Sequence, residues 1–392
     1  MEVKIPFSGR AHAYTEDEIN IVVAAMKDAN PLTQGKYLKA FEEKFCHYIG
    51  VERSFAVSNA TAALEISAQL CQFMPGDEVI IPSHTFTSTA YPFAKKGAQI
   101  VWADIDLKTR VVTAQTLAER ITSKTKALVV PHLYGYGADM PEIMGLAKKH
   151  NLLVVEDAAQ VLGVEIDGKK AGTFGDFGVY SFHSHKNITT LGEGGMLVVK
   201  DKNLANLVPP LRHNGHCAFS FERKDYWVPA MGNVDFPEIN RKTLWPNNFC
   251  LGEVECALGS KLLDRINSIN EEKRERALKF IESLIDYPEL EFHRVDSVRH
   301  NYHLLVARLL GGKRDNFIRK MAQEKEVQCV VQYYPLNRYP LYQKAGFGKA
   351  ECPNADEFFD SMVSFPFHHW LSDEDFNYLL TSTLETLESL RS

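Results

Sequence analysis

The chain has 392 residues, of which 45% are hydrophobic and 24% charged, close to globular averages and far from disordered or fibrous composition. At about 100–200 residues per domain, this length suggests two domains. Lys+Arg number 44 against 50 Asp+Glu, a net charge of -6, which argues against nucleic acid as the main partner.

The start, Met1 to Phe7, lacks the apolar core of a signal peptide, so a cytoplasmic protein is expected. No apolar run approaches the roughly 18 residues of a membrane span, so no membrane partner is expected either. Short apolar runs then alternate with helical patterns. Ser54–Val57 reads as a strand and Thr61–Gln72 as a helix, Glu78–Ile81 as a strand and Ser88–Lys95 as a helix. Ile100–Ala103 and Thr113–Arg120 repeat the pair, as do Ala127–Val130 and Met140–His150. Leu152–Glu156, Val179–Phe182 and Met196–Val199 are further strands. This alternation predicts a doubly wound, mostly parallel α/β sheet.

From Arg212 to Asn248 the periodicity is weak, and the stretch reads as a long irregular excursion, a length usually functional or interfacial. A helical pattern resumes near Gly252. Beyond about residue 265 helices dominate, with strand candidates at His303–Leu309 and Val327–Val331 and a closing helix at Asp373–Leu390. The expected division is a large domain over 1–264 and a smaller C-terminal α/β domain over 265–392. The seven cysteines are scattered without a C-x-x-C pair, so neither a metal site nor a disulfide framework is expected.

Four features at strand ends carry chemistry. Asp157, in Glu156-Asp157-Ala158-Ala159-Gln160, puts a carboxylate where parallel sheets bind ligands, although a strand-end Asp also serves as a helix cap. Lys186 precedes the Gly-rich Gly192-Glu193-Gly194-Gly195, where desolvation could lower an amine's proton affinity; an exposed lysine is the ordinary alternative. Ser58-Asn59-Ala60-Thr61 opens a helix with free N–H groups suited to an anion, or is simply a cap. Phe86, in Ser83-His84-Thr85-Phe86, offers an aromatic plate or a core residue. Together they supply a phosphate cradle, a plate, an anion and a reactive amine. Those are the requirements of pyridoxal 5'-phosphate, which needs a Schiff-base lysine and a carboxylate on its ring nitrogen.

At these residues the chain resembles the DegT/DnrJ/EryC1/StrS family of sugar aminotransferases. The resemblance runs from Tyr14-Thr15-Glu16-Asp17-Glu18-Ile19 through His132-Leu133-Tyr134-Gly135, Asp157-Ala158-Ala159-Gln160 and Ser181-Phe182-His183-x-x-Lys186 to Ser364-Phe365-Pro366. It implies fold type I of the pyridoxal phosphate enzymes, the aspartate aminotransferase-like fold. It also implies roles. Lys186 would hold the cofactor and shuttle the proton, and Asp157 would keep its ring nitrogen protonated. Gln160 would reach the phenolic oxygen and Phe86 would stack on the ring. The N–H groups of Ala60 and Thr61 with the Ser181 hydroxyl would hold the phosphate. Asn248 would reach the cofactor phosphate of a partner subunit in a homodimer.

The chain departs from the family pattern at Ala60, at Cys250 where an Arg is usual, at Gln332 and Asn337 where histidines are common, and in the long stretch Phe219–Trp245. The expected activity is transfer of an amino group from glutamate or glutamine to a keto-sugar, nucleotide-linked by family frequency. A free keto-sugar acid or a small phosphorylated ketone also fits the departures. A sugar dehydratase would carry His in place of the lysine; Lys186 stands five residues after Ser181, the transaminating spacing, with His185 beside it. A non-catalytic regulatory protein is disfavoured by Lys186, Asp157 and Gln160 together.

Overall fold

The structure is a computed structural model and describes residues 3–8, 12–217, 233–236, 238–239 and 242–391. Seven strands form the main sheet: β1 (Ser54–Val57), β2 (Glu78–Pro82), β3 (Gln99–Ala103), β4 (Thr125–Pro131), β5 (Leu153–Asp157), β6 (Phe177–Ser181) and β7 (Gly195–Val199). Their spatial order is β1-β7-β6-β5-β4-β2-β3. Strands β3, β2, β4, β5 and β6 pair in parallel, and β7 is antiparallel to both its neighbours. This is the doubly wound, mostly parallel sheet expected from the alternation. Burial is nearly complete along β4 to β7, as required of strands covered on both faces.

Helices α1 (Glu16–Asp28), α2 (Lys36–Ile49), α3 (Ala60–Cys71) and α4 (Met140–His150) belong to this part of the chain. Helix α3 is buried from Ala62 to Cys71, so its start alone faces open space. After α5 (Glu253–Leu262) and α6 (Ile266–Glu282) comes a second, antiparallel sheet of β8 (Leu290–Phe292), β9 (Leu305–Leu309) and β10 (Met362–Phe365). The long α7 (Asp373–Arg391) closes the described chain. A second buried apolar cluster joins Ala277, Phe280, Phe317, Phe365 and Leu379 in this region.

Three expected elements differ. Val327–Val331 is no strand: Val327 and Val330 make isolated bridges, to Ile5 and Ser364 respectively. β10 is the edge strand of its sheet, and its open edge meets this segment only where Val330 and Ser364 exchange backbone bonds of 3.0 and 2.8 Å. Ser88–Lys95 is a 3-10 turn over Thr87–Thr89 followed by a short helix at Tyr91–Lys95. Pro92, which has no N–H to donate, fits only the first turn of that helix. Thr113–Arg120 forms a helix only over Ala114–Ala118. Within the expected excursion, His216–Cys217 pairs with Asn233–Val234 and Glu238–Ile239 with Lys242–Thr243. Most of Phe219–Trp245 lies outside the described residues.

One buried acid organises the edge where the parallel strands end. Side chains alternate along a strand, so Glu156 and Asp157 of β5 face opposite ways. Glu156 is fully buried. Its Oε1 accepts from the backbone N–H groups of Phe174 at 2.5 Å and Gly175 at 2.6 Å. Its Oε2 accepts from Gly172 N–H at 2.8 Å and from His132 Nε2 at 3.2 Å. His132 Nδ1 accepts from Ala138 N–H at 3.1 Å, so the ring proton sits on Nε2 and points at the carboxylate. Gly172 is required here: its φ is +90°, and a Cβ would lie 2.3 Å from the Tyr180 hydroxyl oxygen.

All four groups around Glu156 donate, so an amide in its place opposes a donor with a donor. Glu156→Gln is expected to lower stability by about 2–4 kcal/mol, read as the shift of a urea unfolding midpoint. An unshifted midpoint would show that the loop from Gly172 to Gly175 does not depend on this acid.

Candidate active site

The C-terminal ends of β2, β4, β5 and β6 open into a cavity of about 420 Å³. Ala60, Thr61, Phe86, Asp157, Gln160, Ser181 and Lys186 all line it. Seven of the eight expected site residues therefore converge, although 126 positions separate Ala60 from Lys186. Asn248 does not join them; it is bridged to His213 outside this cavity.

At one end stands the N-terminus of α3. Asn59 caps it, with Oδ1 accepting from Ala62 N–H at 2.8 Å. The N–H groups of Ala60 and Thr61 have no acceptor within the helix, and the helix dipole favours an anion there. Gly195 of β7 allows this approach: a Cβ would lie 2.5 Å from the Asn59 carbonyl carbon and 2.6 Å from the Ala60 nitrogen. The Ser181 hydroxyl lies on the same wall and accepts from His183 N–H at 3.3 Å. In Ser58-Asn59-Ala60-Thr61 the structure gives the cap to Asn59 and leaves the N–H groups of Ala60 and Thr61 without an acceptor in the helix.

Across the cavity, Asp157 is buried and held on both oxygens. Thr89 donates to Oδ2 at 2.8 Å and Ala159 N–H reaches Oδ1 at 3.2 Å. With its proton committed to Asp157, the Thr89 oxygen accepts from Thr85 at 3.0 Å. Gln160 is fixed at both ends, Oε1 accepting from Tyr134 N–H at 2.7 Å and Nε2 donating to the Tyr333 hydroxyl at 3.1 Å. One amide hydrogen remains for a ligand. Phe86 is 52% exposed, so it is not a core residue. Its ring stands 5.9 Å from that of Tyr333.

Lys186 sits on the loop between β6 and β7, in a turn closed by its N–H donating to His183 O at 2.8 Å. It is no surface lysine. Burial pushes its ammonium down to about 8, and Asp157 opposes that fall. An amine in this range is substantially neutral, hence nucleophilic, at mildly basic pH. His185, its neighbour, is exposed at the cavity mouth.

Thr89 and Tyr333 escaped sequence reading. Thr89 follows Phe86 by three residues, and the 3-10 turn over Thr87–Thr89 brings both to one cavity; that spacing was a usable signal. Tyr333 belongs to a distant segment, and nothing in its local pattern marks it.

A family model described as the DegT/DnrJ/EryC1/StrS aminotransferase family matches residues 13–383. The chain belongs to this family. It is 30% identical over 380 residues to the UDP-N-acetyl-3-dehydro-alpha-D-glucosamine 3-aminotransferase of Acidithiobacillus ferrooxidans, covering 96% of both chains. It superposes on Helicobacter pylori PseC, an aminotransferase involved in the biosynthesis of pseudoaminic acid, with a TM-score of 0.88 and 26% identity over 99% of this chain and 100% of that one. A putative sugar aminotransferase of Streptococcus pneumoniae, solved in its PMP form, gives a TM-score of 0.88 and 25% identity over 99% and 100%. The fold is therefore fold type I, and the protein is an aminotransferase that uses pyridoxal phosphate. The residues present fit that group. The unpaired N–H groups at α3 and the space left by Gly195 suit its phosphate, the fixed acid suits its ring nitrogen, and the lowered amine suits its aldehyde.

Cofactor capture should report the Lys186 proton directly. In cofactor-free protein, the rate of pyridoxal phosphate uptake is expected to rise with pH and level off near 8, because only the neutral amine attacks. An ordinary lysine would keep rising toward 10. Asp157→Asn removes the charge that favours the ammonium, so its profile moves to lower pH. Stopped-flow absorbance measures both, and coincident profiles would remove Asp157 from this role.

Proposed function

We propose that the enzyme transfers an amino group from L-glutamate, or glutamine, to a nucleotide-linked keto-sugar in the making of an amino sugar. The observation that carries this reading is the meeting of a lowered Lys186 amine, a fixed Asp157 and an anion-ready helix start in one cavity. Pyridoxal phosphate, when bound, supplies an electrophilic aldehyde and an electron sink.

The chain's own residues supply the rest. Ala60, Thr61 and Ser181 hold the phosphate, and Asp157, held by Thr89, keeps the ring nitrogen protonated. Phe86 covers the ring, and Gln160 donates its spare amide hydrogen to the phenolic oxygen. Lys186 takes the proton from the donor's Cα and returns it to the cofactor carbon that bears the amine. In the second half-reaction it runs the same transfer backward on the sugar.

Two observations favour a sugar as acceptor. Gln332 lines the cavity, and its Oε1 is a buried acceptor without a donor among the described residues; a sugar hydroxyl can fill that vacancy. The relative named above acts on a UDP-linked sugar, as its name states. Asn248 lies outside its own chain's cavity, which supports its service to a partner subunit in a homodimer. A division into units over 1–264 and 265–392, closing on the substrate, and a cytoplasmic location complete the proposal. Among the described residues no helix is long and apolar enough to cross a membrane.

The purified protein is expected to be yellow, and L-glutamate should bleach its visible band by converting the cofactor to its amine form. Lys186→Ala should abolish the band and cut transfer roughly 10³-fold or more. The amine form should then be reoxidised by a nucleotide-linked keto-sugar and not by the free keto-sugar. A Lys186→Ala protein with unchanged colour would sink the assignment of the amine, and bleaching by no amino acid would sink the transfer.

A further inference from the structure

The cavity has a second wall, built from α6, the segment leading into β9, and Phe367 with His368. Lys273 of α6 is only 4% exposed, yet its side chain lines the cavity. Its Nζ donates to His303 O at 2.8 Å and to Asn187 Oδ1 at 3.4 Å. Among the described residues no carboxylate lies within ion-pair distance of it. Buried lysines are rare, and a buried charge is normally paired. Burial alone pushes this ammonium down to about 7.

The two partners of Lys273 are neutral acceptors, and the side chains beyond them are amides and imidazoles. Asn187 Nδ2 donates to Asn270 Oδ1 at 2.7 Å, so its Oδ1 faces Lys273 and His303. That oxygen can only accept, so His303 Nδ1, 3.3 Å away, carries the proton. His368 is 8% exposed, and its Nδ1 is buried without a partner among the described residues. Its ring is stacked on Trp370 at 3.9 Å, and Lys273 is close enough to lower its proton affinity. One patch of wall thus holds an ammonium without an ion-pair partner among the described residues and an imidazole nitrogen without a hydrogen-bond partner there, the acid acting on that imidazole being Asp375.

We propose that Lys273 is the recognition group for a carboxylate of the amino donor, an acidic amino acid, with His368 as second donor. This rests on the transferase reading above. Asn187, which touches Lys273, is the residue after Lys186, so the patch lies beside the reacting amine. The donor's carboxylates are a few bonds from the carbon that loses its proton to Lys186. A nucleotide diphosphate is separated from the reacting sugar carbon by much of the sugar ring, which places its charge farther out. The incoming carboxylate completes the ion pair that the fold leaves open, and so raises the lysine's proton affinity again.

The test is binding of glutarate, a dicarboxylate that cannot react, to the cofactor-loaded enzyme by calorimetry, with D-glucuronate as the anionic-sugar arm. Lys273→Met is expected to weaken glutarate roughly 10- to 100-fold, Lys273→Arg to keep most of the affinity, and glucuronate to change little. In steady state the same loss should fall on the KM for L-glutamate, with kcat at saturation far less affected. Unchanged glutarate binding overturns the proposal, as does a loss confined to glucuronate or an equal loss that Lys273→Arg does not restore.

Should Lys273→Met fail to fold, the wild type decides. At pH 8 glutarate binding should draw in a proton, seen as a buffer-dependent heat beyond that reported by the cofactor's absorbance; no uptake overturns the proposal. Failure of L-glutamate to convert the wild-type cofactor would sink the donor reading itself. Conversion equally efficient in Lys273→Met sinks this inference alone.

Discussion

Two adjacent carboxylates at the end of β5 set the geometry of the active site. Because strand side chains alternate, Glu156 enters the protein interior while Asp157 enters the cavity. A fully buried carboxylate is tolerable only when its oxygens are satisfied. Glu156 meets that condition with three backbone N–H groups and one imidazole. Those bonds tie the loop from Gly172 to Gly175, which leads into β6, and His132, which follows β4, to the strand between them. Asp157 is therefore aimed by the frame before any ligand arrives. Thr89, from the turn after β2, fixes its rotation. An acid positioned in this way loses little on meeting a cationic ring nitrogen, because the reorganisation has been done in folding.

The charge layout of the cavity follows from the same economy. The start of α3 offers positive potential at one end and Asp157 offers negative charge at the other, with Lys186 held between elements from both sides. A lysine so placed faces two opposing effects. Desolvation disfavours its ammonium and the Asp157 carboxylate favours it, and desolvation wins. The net charge of -6 carries no trace of this arrangement, since it sums a surface that the site does not use.

Much of this was legible in the sequence, and the reasons are local. The strands of the parallel sheet are short, largely buried and mostly apolar runs, so their pattern survives any tertiary context; each lies within two residues of its expected bounds. The features at strand ends were legible because topology alone carries the ends of parallel strands to one edge. What failed was what depends on partners. Val327–Val331 has the composition of a strand but meets only one residue on the open edge of β10. Pro92 splits a helical pattern that composition alone ran through. Tyr333 and Lys273 lie in or beside stretches with a secondary-structure pattern, but that pattern does not point either residue to the cavity. Their roles come from burial and unpaired hydrogen-bonding groups, which exist only once the chain has folded.

Lys273 and Lys186 show how burial can be read as a statement about ligands. Both amines are lowered by desolvation, but they differ in company. Lys186 has Asp157 as a counter-charge. Lys273 has neutral acceptors only, the His303 carbonyl and the Asn187 side-chain oxygen, so its charge meets no counter-charge among the described residues. Gln332, which lines the same cavity, presents a buried side-chain carbonyl oxygen with no donor among the described residues. The cavity therefore carries two opposite unmet demands, one suited to an anion and one to a hydroxyl. An aminotransferase must admit two different substrates in turn to the same reacting atom. Carrying the two demands on different residues lets an anionic substrate and a hydroxyl-bearing one each find its own partners.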